Sequence, residues 1–131
     1  MPATFLVSDT HFGHAGVCRF LREDGTKLRP WEDPAEMDEF MVRAWNERVR
    51  PNDKVYHLGD VVINRRALKT LARLNGDKVL IRGNHDIFRD TEYGEYFREL
   101  RAYHVLNGMI LSHIPVHDSI YRPRKLWPAW R

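Results

Sequence analysis

The sequence predicts an α/β fold built on a mostly parallel sheet. Short apolar, β-branched runs at 4–8, 54–58 and 78–82 are separated by segments long enough to hold a crossover helix. An Asn107-Gly108 turn between later apolar runs predicts an antiparallel hairpin. With 131 residues, 43% of them hydrophobic, the chain is long enough for one core, so we expect a single domain over 1–131.

The first half of the chain predicts a strand and two helices. The apolar run at 4–8 is typical of a buried strand, and 15–23 is expected to form a short helix. The clearest helix is expected at 35–49, because Asp33 can cap it and Pro34 suits its first turn. Its apolar stripe consists of Met37, Phe40, Met41, Ala44, Trp45 and Val49.

The second half predicts three strands after 54–58, separated by two helices. We expect a helix at 65–74, a strand at 78–82, a helix with an aromatic stripe at 91–100, and the hairpin at 102–111. With the two helices before 54–58 counted as one crossover, the resulting order is βαβαβαββ.

Composition limits the class of protein. The single cysteine, Cys18, excludes an intramolecular disulfide and favours a reducing, cytoplasmic location. We expect no membrane association, since no apolar run has membrane-spanning length and the N-terminus lacks a basic leader. The formal net charge is +3, and sixteen of the 21 basic residues are arginine, which suits an anionic, phosphate-bearing substrate. A solvated basic surface without a ligand is the alternative.

The ends of the apolar runs carry residues that bind metals. SDTHFGH follows the first run, GD the second, GNHD the third, and SH the last. Because parallel strands present their carboxyl ends at one edge of a sheet, we expect these residues to meet there. The candidate ligands are Asp9, His11, Asp60, Asn84 and His113, and the intervals between the four segments leave room for a crossover. Asp60 is the candidate bridge between two ions.

Other polar residues have weaker assignments. His14 and Arg82 are candidate contacts for a substrate phosphate, with an ordinary loop histidine and a solvated arginine as the alternatives. We expect His57 to be a buried, hydrogen-bonded histidine of the core, and His104 to be structural. The tail 118–131 mixes basic residues with tryptophan and proline, so it is either a nucleic-acid contact or an end that packs on the domain.

The motifs resemble those of the calcineurin-like metallophosphoesterases, whose blocks are Asp-x-His, Gly-Asp, Gly-Asn-His-Asp or -Glu, and a lone histidine. The resemblance covers residues 8–113. It implies a layered α/β/β/α sandwich, one metal held by Asp9, His11 and Asp60, and a second held by Asp60, Asn84 and His113. It also implies that His85 is the proton donor, and we expect Asp86 to orient its ring.

One block of that family is missing. The family normally has a Gly-His-x-His block after the lone histidine, and this sequence ends without it, so a C-terminally shortened version of the fold is expected. His117 is a candidate substitute ligand, with an exposed loop histidine as the alternative. Three explanations fit the missing block. The site could bind metal weakly or hold a single ion, the reading frame could be truncated, or a partner chain could donate the imidazoles.

The expected function is therefore that of a metal-dependent phosphoesterase. It would hydrolyse phosphomono- or phosphodiesters through a metal-activated hydroxide, with two divalent ions (Mn²⁺, Fe²⁺ or Zn²⁺), or only one, and His85 as the acid. The substrate would be a phosphate ester, with nucleotides and nucleic acids among the candidates. The alternative is a catalytically impaired pseudoenzyme that binds nucleotide or nucleic acid through its basic residues.

Overall fold

The computed structural model describes residues 1–116. The candidate ligand His117 and the tail 118–131 lie outside these residues, so their expected roles stay predictions. Within residues 1–116, none of the helices combines the length and the apolar composition needed to cross a membrane.

A four-stranded parallel sheet forms the centre of the fold. Its strands, in spatial order, are β1 (Thr4–Val7), β2 (Lys54–His57), β3 (Asp77–Ile81) and β4 (Glu99–Arg101). Because all four strands run in the same direction, the loops that follow them leave from one edge of the sheet.

Helices cover one face of this sheet. Helix α1 (Pro34–Arg48) begins after Asp33, whose carboxylate accepts a hydrogen bond from Ala35 N at 2.9 Å. A 3₁₀ helix at Arg65–Arg73 begins after Asn64 and replaces the α-helix expected at 65–74. The buried side chains of this layer include Val42, Val61, Val62, Leu68, Leu71, Leu80 and Phe97.

A separate antiparallel hairpin covers the opposite face. Its strands are β5 (His104–Leu106) and β6 (Met109–Leu111), and its turn is at Asn107 and Gly108, both with positive φ. This hairpin packs on the parallel sheet through an apolar cluster that consists of Tyr56, Leu58, Val79, Ile81, Leu106 and Leu111. The α/β class and the hairpin are confirmed, and the layers within residues 1–116 are helices, parallel sheet and hairpin.

Two helix predictions were wrong in extent. Only Ala15–Cys18 is helical in the segment 15–23, as a 3₁₀ turn, because 20–28 forms a small hairpin instead. In the segment 91–100 only α2 (Asp90–Tyr93) is helical. The chain then turns into β4, whose backbone bonds to β3 outweigh the helical spacing of the aromatic residues.

Candidate metal centre

The loops after β1 and β2 carry three candidate ligands in a strained backbone conformation. Four non-glycine residues among those described have positive φ, and three of them are Asp9 (56°), His11 (48°) and Asp60 (56°). Left-handed backbone is costly for such residues and clusters at functional sites. Backbone hydrogen bonds join the two loops, from Asp9 N to Gly59 O at 2.9 Å and from His11 N to Asp60 O at 3.1 Å.

Asp9, His11 and Asp60 form a first donor group. His11 Nε2 lies 3.6 Å from Asp9 Oδ1 and 3.6 Å from Asp60 Oδ2, and one ligand atom from each residue lies within 4.8 Å of the other two. Burial, together with the charges of Arg29 and His14, lowers the pKa of His11 more than the two carboxylates raise it, which favours the neutral imidazole that metals require.

Asp60, Asn84 and His113 form a second donor group. His113 Nε2 lies 3.0 Å from Asn84 Oδ1 and 3.5 Å from Asp60 Oδ2. His113 Nδ1 lies 2.7 Å from the carbonyl oxygen of Leu58 and therefore carries the hydrogen that it donates there. Nε2 then presents a lone pair to two oxygen acceptors, which is the environment of a cation.

The spacing of both donor groups fits a divalent ion. Two ligands bonded at about 2.1 Å, at angles between the octahedral and tetrahedral values, lie roughly 3.0–3.4 Å apart. Four donor separations, at 3.0–3.6 Å, are close to this range. Oxygen and imidazole donors without a thiolate suit manganese, iron or zinc.

Asp60 belongs to both donor groups and faces the histidine of each through the same oxygen, Oδ2. Its Oδ1 accepts the backbone N–H of His85 at 3.0 Å, whereas Oδ2 lies 2.8 Å from His85 Nδ1 and also faces His11 and His113. Burial by itself would raise the pKa of Asp60, but the hydrogen bonds from His85 and the charges of His113 and His85 together lower the pKa. The same hydrogen bond raises the pKa of His85, whose ring is half exposed and can reach a bound molecule.

Asp86 does not orient His85 as expected. Its buried carboxylate accepts three backbone hydrogen bonds, from Asp60 N at 2.8 Å, Val61 N at 3.0 Å and Gly83 N at 2.6 Å. The ring of His85 is instead held by Asp60. Asp86 therefore joins the loops after β2 and β3, because a buried carboxylate is stabilised by several N–H donors.

Arg82 is committed to its own loop. Its guanidinium pairs with Asp90 and donates to the carbonyl oxygens of Asp86 and Phe88, at 2.6 and 2.9 Å. These partners use three of the five N–H groups of the guanidinium, so the expected role in binding phosphate stays a prediction. Arg82 also shapes the loop that carries His85.

His14 lies beside the first donor group. Its ring is 5.6 Å from that of His11 and 6.3 Å, edge-on, from Phe20. Its Nδ1 is buried and has no hydrogen-bond partner within residues 1–116. Burial, followed by nearby positive charges that include Arg19, lowers the pKa of His14.

His57 is a buried, hydrogen-bonded histidine, as expected, and its partners are in the loops that carry the donor groups. It is completely buried, accepts from Gly59 N at 3.1 Å through Nδ1, and lies 3.0 Å from the hydroxyl of Thr10 through Nε2. The Thr10 hydroxyl donates to Val61 O, so it accepts the Nε2 hydrogen and the imidazole is neutral. Its burial lowers the pKa of His57 to about 3.

Arg29 is a supporting residue that sequence reasoning missed. Its guanidinium donates to the carbonyl oxygens of Asp9 and of Thr10, the latter at 2.8 Å. Nothing in the local sequence marks it, because the contact spans 19 residues.

Asp38 and Asn64 were also missed. Asp38 Oδ1 accepts Gly13 N at 2.9 Å, and Asn64 Nδ2 donates to Gly13 O at 2.9 Å. These contacts hold the glycine between His11 and His14, and only the N-cap position of Asn64 gave a local signal.

A groove of about 1010 Å³ opens on the other side of the site. Asn84 and His113 lie at its edge, and its walls are mainly apolar, with Tyr103, Val105 and Ile114 among them. The two donor groups therefore lie between this groove and the 20–28 hairpin beside His14.

Comparisons with known proteins agree with this geometry. The model of the family described as calcineurin-like phosphoesterase matches residues 4–126. The chain is 38% identical, over 127 residues, to a protein of Methanocaldococcus jannaschii named only as uncharacterized, covering 92% of this chain and 62% of that protein. It is 36% identical over 100 residues to the gene 66 protein of Mycobacterium phage D29, covering 70% of this chain and 46% of the phage protein.

A solved structure is also similar. The crystal structure of a protein of unknown function from Aquifex aeolicus superposes with a TM-score of 0.64 at 28% identity, covering 92% of this chain and 64% of the other. The chain thus spans between about half and two thirds of the length of these relatives.

Proposed function

Because the chain belongs to the calcineurin-like phosphoesterase family, we propose that it is a metal-dependent phosphoesterase with a dinuclear centre. The first donor group would hold one divalent ion and the second donor group the other, and Asp60 belongs to both groups. Bound there, the ions would lower the pKa of a water molecule and neutralise the phosphoryl oxygens.

The proposal depends on one observation: the imidazole nitrogens of His11 and His113 both face Asp60 Oδ2. Two imidazole nitrogens lie 3.5 and 3.6 Å from this oxygen. The backbone acceptor Leu58 O fixes the tautomer of His113, so its lone pair faces the carboxylate. A carboxylate oxygen facing such atoms is stabilised by positive charge between them.

His85 is the proposed proton donor. Asp60 holds its Nδ1 at 2.8 Å, and the ring is half exposed, so a bound phosphoester can approach it. The raised pKa keeps this imidazole protonated closer to neutral pH. It can then give a proton to the leaving alkoxide.

The experiment compares the 131-residue chain with Asp60→Asn in the presence of Mn²⁺, using an aryl phosphate monoester and an aryl phosphate diester. We expect hydrolysis that needs the metal and falls at least 100-fold in Asp60→Asn, since the amide removes the charge that both ions share. Asp77→Asn is the control, because Asp77 lies at the start of β3, away from the site, and pairs with Arg98.

Two results would contradict the proposal. One is hydrolysis that survives in Asp60→Asn. The other is stoichiometric Mn²⁺ binding without turnover of either ester, which would favour the pseudoenzyme.

A further inference from the structure

The 20–28 hairpin is an ordered element beside the first donor group. Leu28 N donates to Phe20 O at 2.8 Å, and Arg22 N donates to Thr26 O at 2.7 Å. Asp24 accepts the backbone N–H of Thr26 at 3.0 Å and so closes the turn. These bonds fix the shape of the hairpin.

The base of the hairpin is attached to the candidate metal centre. Arg29, which directly follows the hairpin, donates to the carbonyl oxygens of Asp9 and Thr10. The position of the hairpin is therefore coupled to the loop that carries two of the proposed ligands.

The surface of the hairpin is unusually apolar. Phe20 is 51% exposed, Leu21 63% and Leu28 49%. Clustered apolar side chains in water indicate a binding surface more often than isolated ones do. The ring of Phe20 meets the edge of His14, whose ring lies beside His11, so a row of rings leads from a proposed ligand to the surface.

Positive charge accompanies this row. Arg19 directly precedes Phe20, and the guanidinium of Arg29 lies against the carbonyl oxygens of Asp9 and Thr10. An exposed aromatic ring next to arginine is the combination that binds a base attached to a phosphate.

We propose that the 20–28 hairpin, through Phe20, binds the aromatic group of a nucleotide-type phosphoester whose phosphate lies at the donor groups. This inference rests on the proposed function, because it takes the donor groups as the phosphate site. The apolar groove beside Asn84 and His113 is less suited to a base, since six of its lining residues are aliphatic and its Arg82 already pairs with Asp90.

The test measures binding rather than turnover. The ligands are the methylene phosphonate analogue of AMP and ethylphosphonate, which share a non-hydrolysable phosphonate group but differ in the nucleoside. Isothermal titration of the Mn²⁺-loaded chain gives the ratio of the two dissociation constants, which reports the contribution of the nucleoside alone.

We expect the wild-type chain to prefer the AMP analogue, and Phe20→Ala to reduce this preference about tenfold, the scale of one stacking contact. The affinity for ethylphosphonate should not change. Phe20→Tyr should keep the preference, since it keeps the ring. Phe40→Ala is the matched control, because Phe40 is 48% exposed on α1 and packs on Trp31.

Equal affinities for the two ligands in the wild-type chain would overturn the inference. So would a preference that survives in Phe20→Ala, or one that Tyr103→Ala abolishes, which would place the base in the groove. These results leave the proposed function intact, provided that Mn²⁺ and ethylphosphonate bind. If neither binds, the proposed function fails and the inference fails with it.

Discussion

The ring of His85 and the carboxylate of Asp60 are joined twice, through the ring nitrogen and through the backbone N–H of His85. Asp60 therefore fixes the position of the proposed acid as well as facing both donor groups. His85 itself lies outside both groups, so its removal should separate acid catalysis from metal binding.

We expect His85→Ala to lower kcat about 100- to 10,000-fold, the range for loss of a general acid. Metal content per chain, measured by elemental analysis, should stay unchanged. His104→Ala is the control, because His104 stacks on Tyr56 under the β5–β6 hairpin and away from the donor groups. Loss of bound metal in His85→Ala would assign this histidine as a ligand instead.

His57 gives a prediction about pH. Because its folded-state pKa of about 3 lies below the ordinary value of 6.5, the folded protein binds fewer protons than the unfolded chain between these values. The stability contributed by neutral His57 is complete above pH 6.5 and is lost as the pH falls toward 3. We expect a loss of up to about 1.4 kcal/mol per pH unit in this window.

The measurement is the free energy of unfolding in urea from pH 7 to pH 4, with a chelator present. His57→Gln removes the titrating group but keeps polar atoms in the same place, so its unfolding free energy should fall less steeply with pH. Equal slopes in the two proteins would show that His57 does not titrate as proposed.

At the scale of elements, the loops after β2 and β3 approach each other more closely than any side chain at Gly59 or Gly83 would permit. A Cβ on Gly59 would lie 2.6 Å from Gly83 N and 2.7 Å from His113 Nδ1, and Gly59 has a φ of +107°. Glycine at this position therefore lets three segments of the candidate site meet.

Gly59→Ala should destabilise the fold by more than about 2 kcal/mol, the cost of a severe steric clash combined with backbone strain. It should also weaken metal binding, because the strand ends must separate to make room for the Cβ. Gly25→Ala is the matched control: its φ is +85°, but a Cβ there meets nothing within 4 Å. Thermal melts and Mn²⁺ titrations of both variants separate the two effects: Gly25→Ala adds backbone strain alone, and Gly59→Ala adds backbone strain and a steric clash. Similar losses in the two variants would contradict this interpretation.

Local signals predicted some elements well and others poorly. Helix α1 was predictable because Asp33, Pro34 and the apolar stripe all act within a few residues. Strand β4 was missed because Tyr93, Tyr96 and Phe97 have helical spacing, and only pairing with β3 makes the following residues extended. The 20–28 hairpin depends on a bond from Leu28 N to Phe20 O that no helix-period pattern reveals.

At the scale of the whole molecule, the candidate ligands were predictable because they follow strands, and parallel strands bring their carboxyl ends together. Asp9, His11, Asp60, Asn84 and His113 do meet at one edge. The contacts of Arg29 and Asp86 were not predictable, since they depend on how the loops pack and not on residue type. Their partners are backbone atoms, which the sequence does not distinguish.

Metal binding should stabilise the whole fold, because the donor groups join four segments that are far apart in the chain. At a Mn²⁺ concentration 100 times the dissociation constant, linkage gives about 2.7 kcal/mol. We expect an increase of about 10 °C in the unfolding midpoint over a chelator-treated sample. Asp60→Asn should show almost no metal-dependent increase, and Asp77→Asn should keep it; a full increase in Asp60→Asn would place the metal elsewhere.

The three backbone bonds to Asp86 determine whether the loops of the site are positioned before or after a cation binds. They tie the loop of Asp60 to the loop of Asn84 through a carboxylate that is not a proposed ligand, so the spacing between these loops is set by folding, before any cation arrives. Entry of a cation then requires no rearrangement of these loops. Exchange between cations of similar radius should accordingly be rapid, and larger ones should be rejected by size.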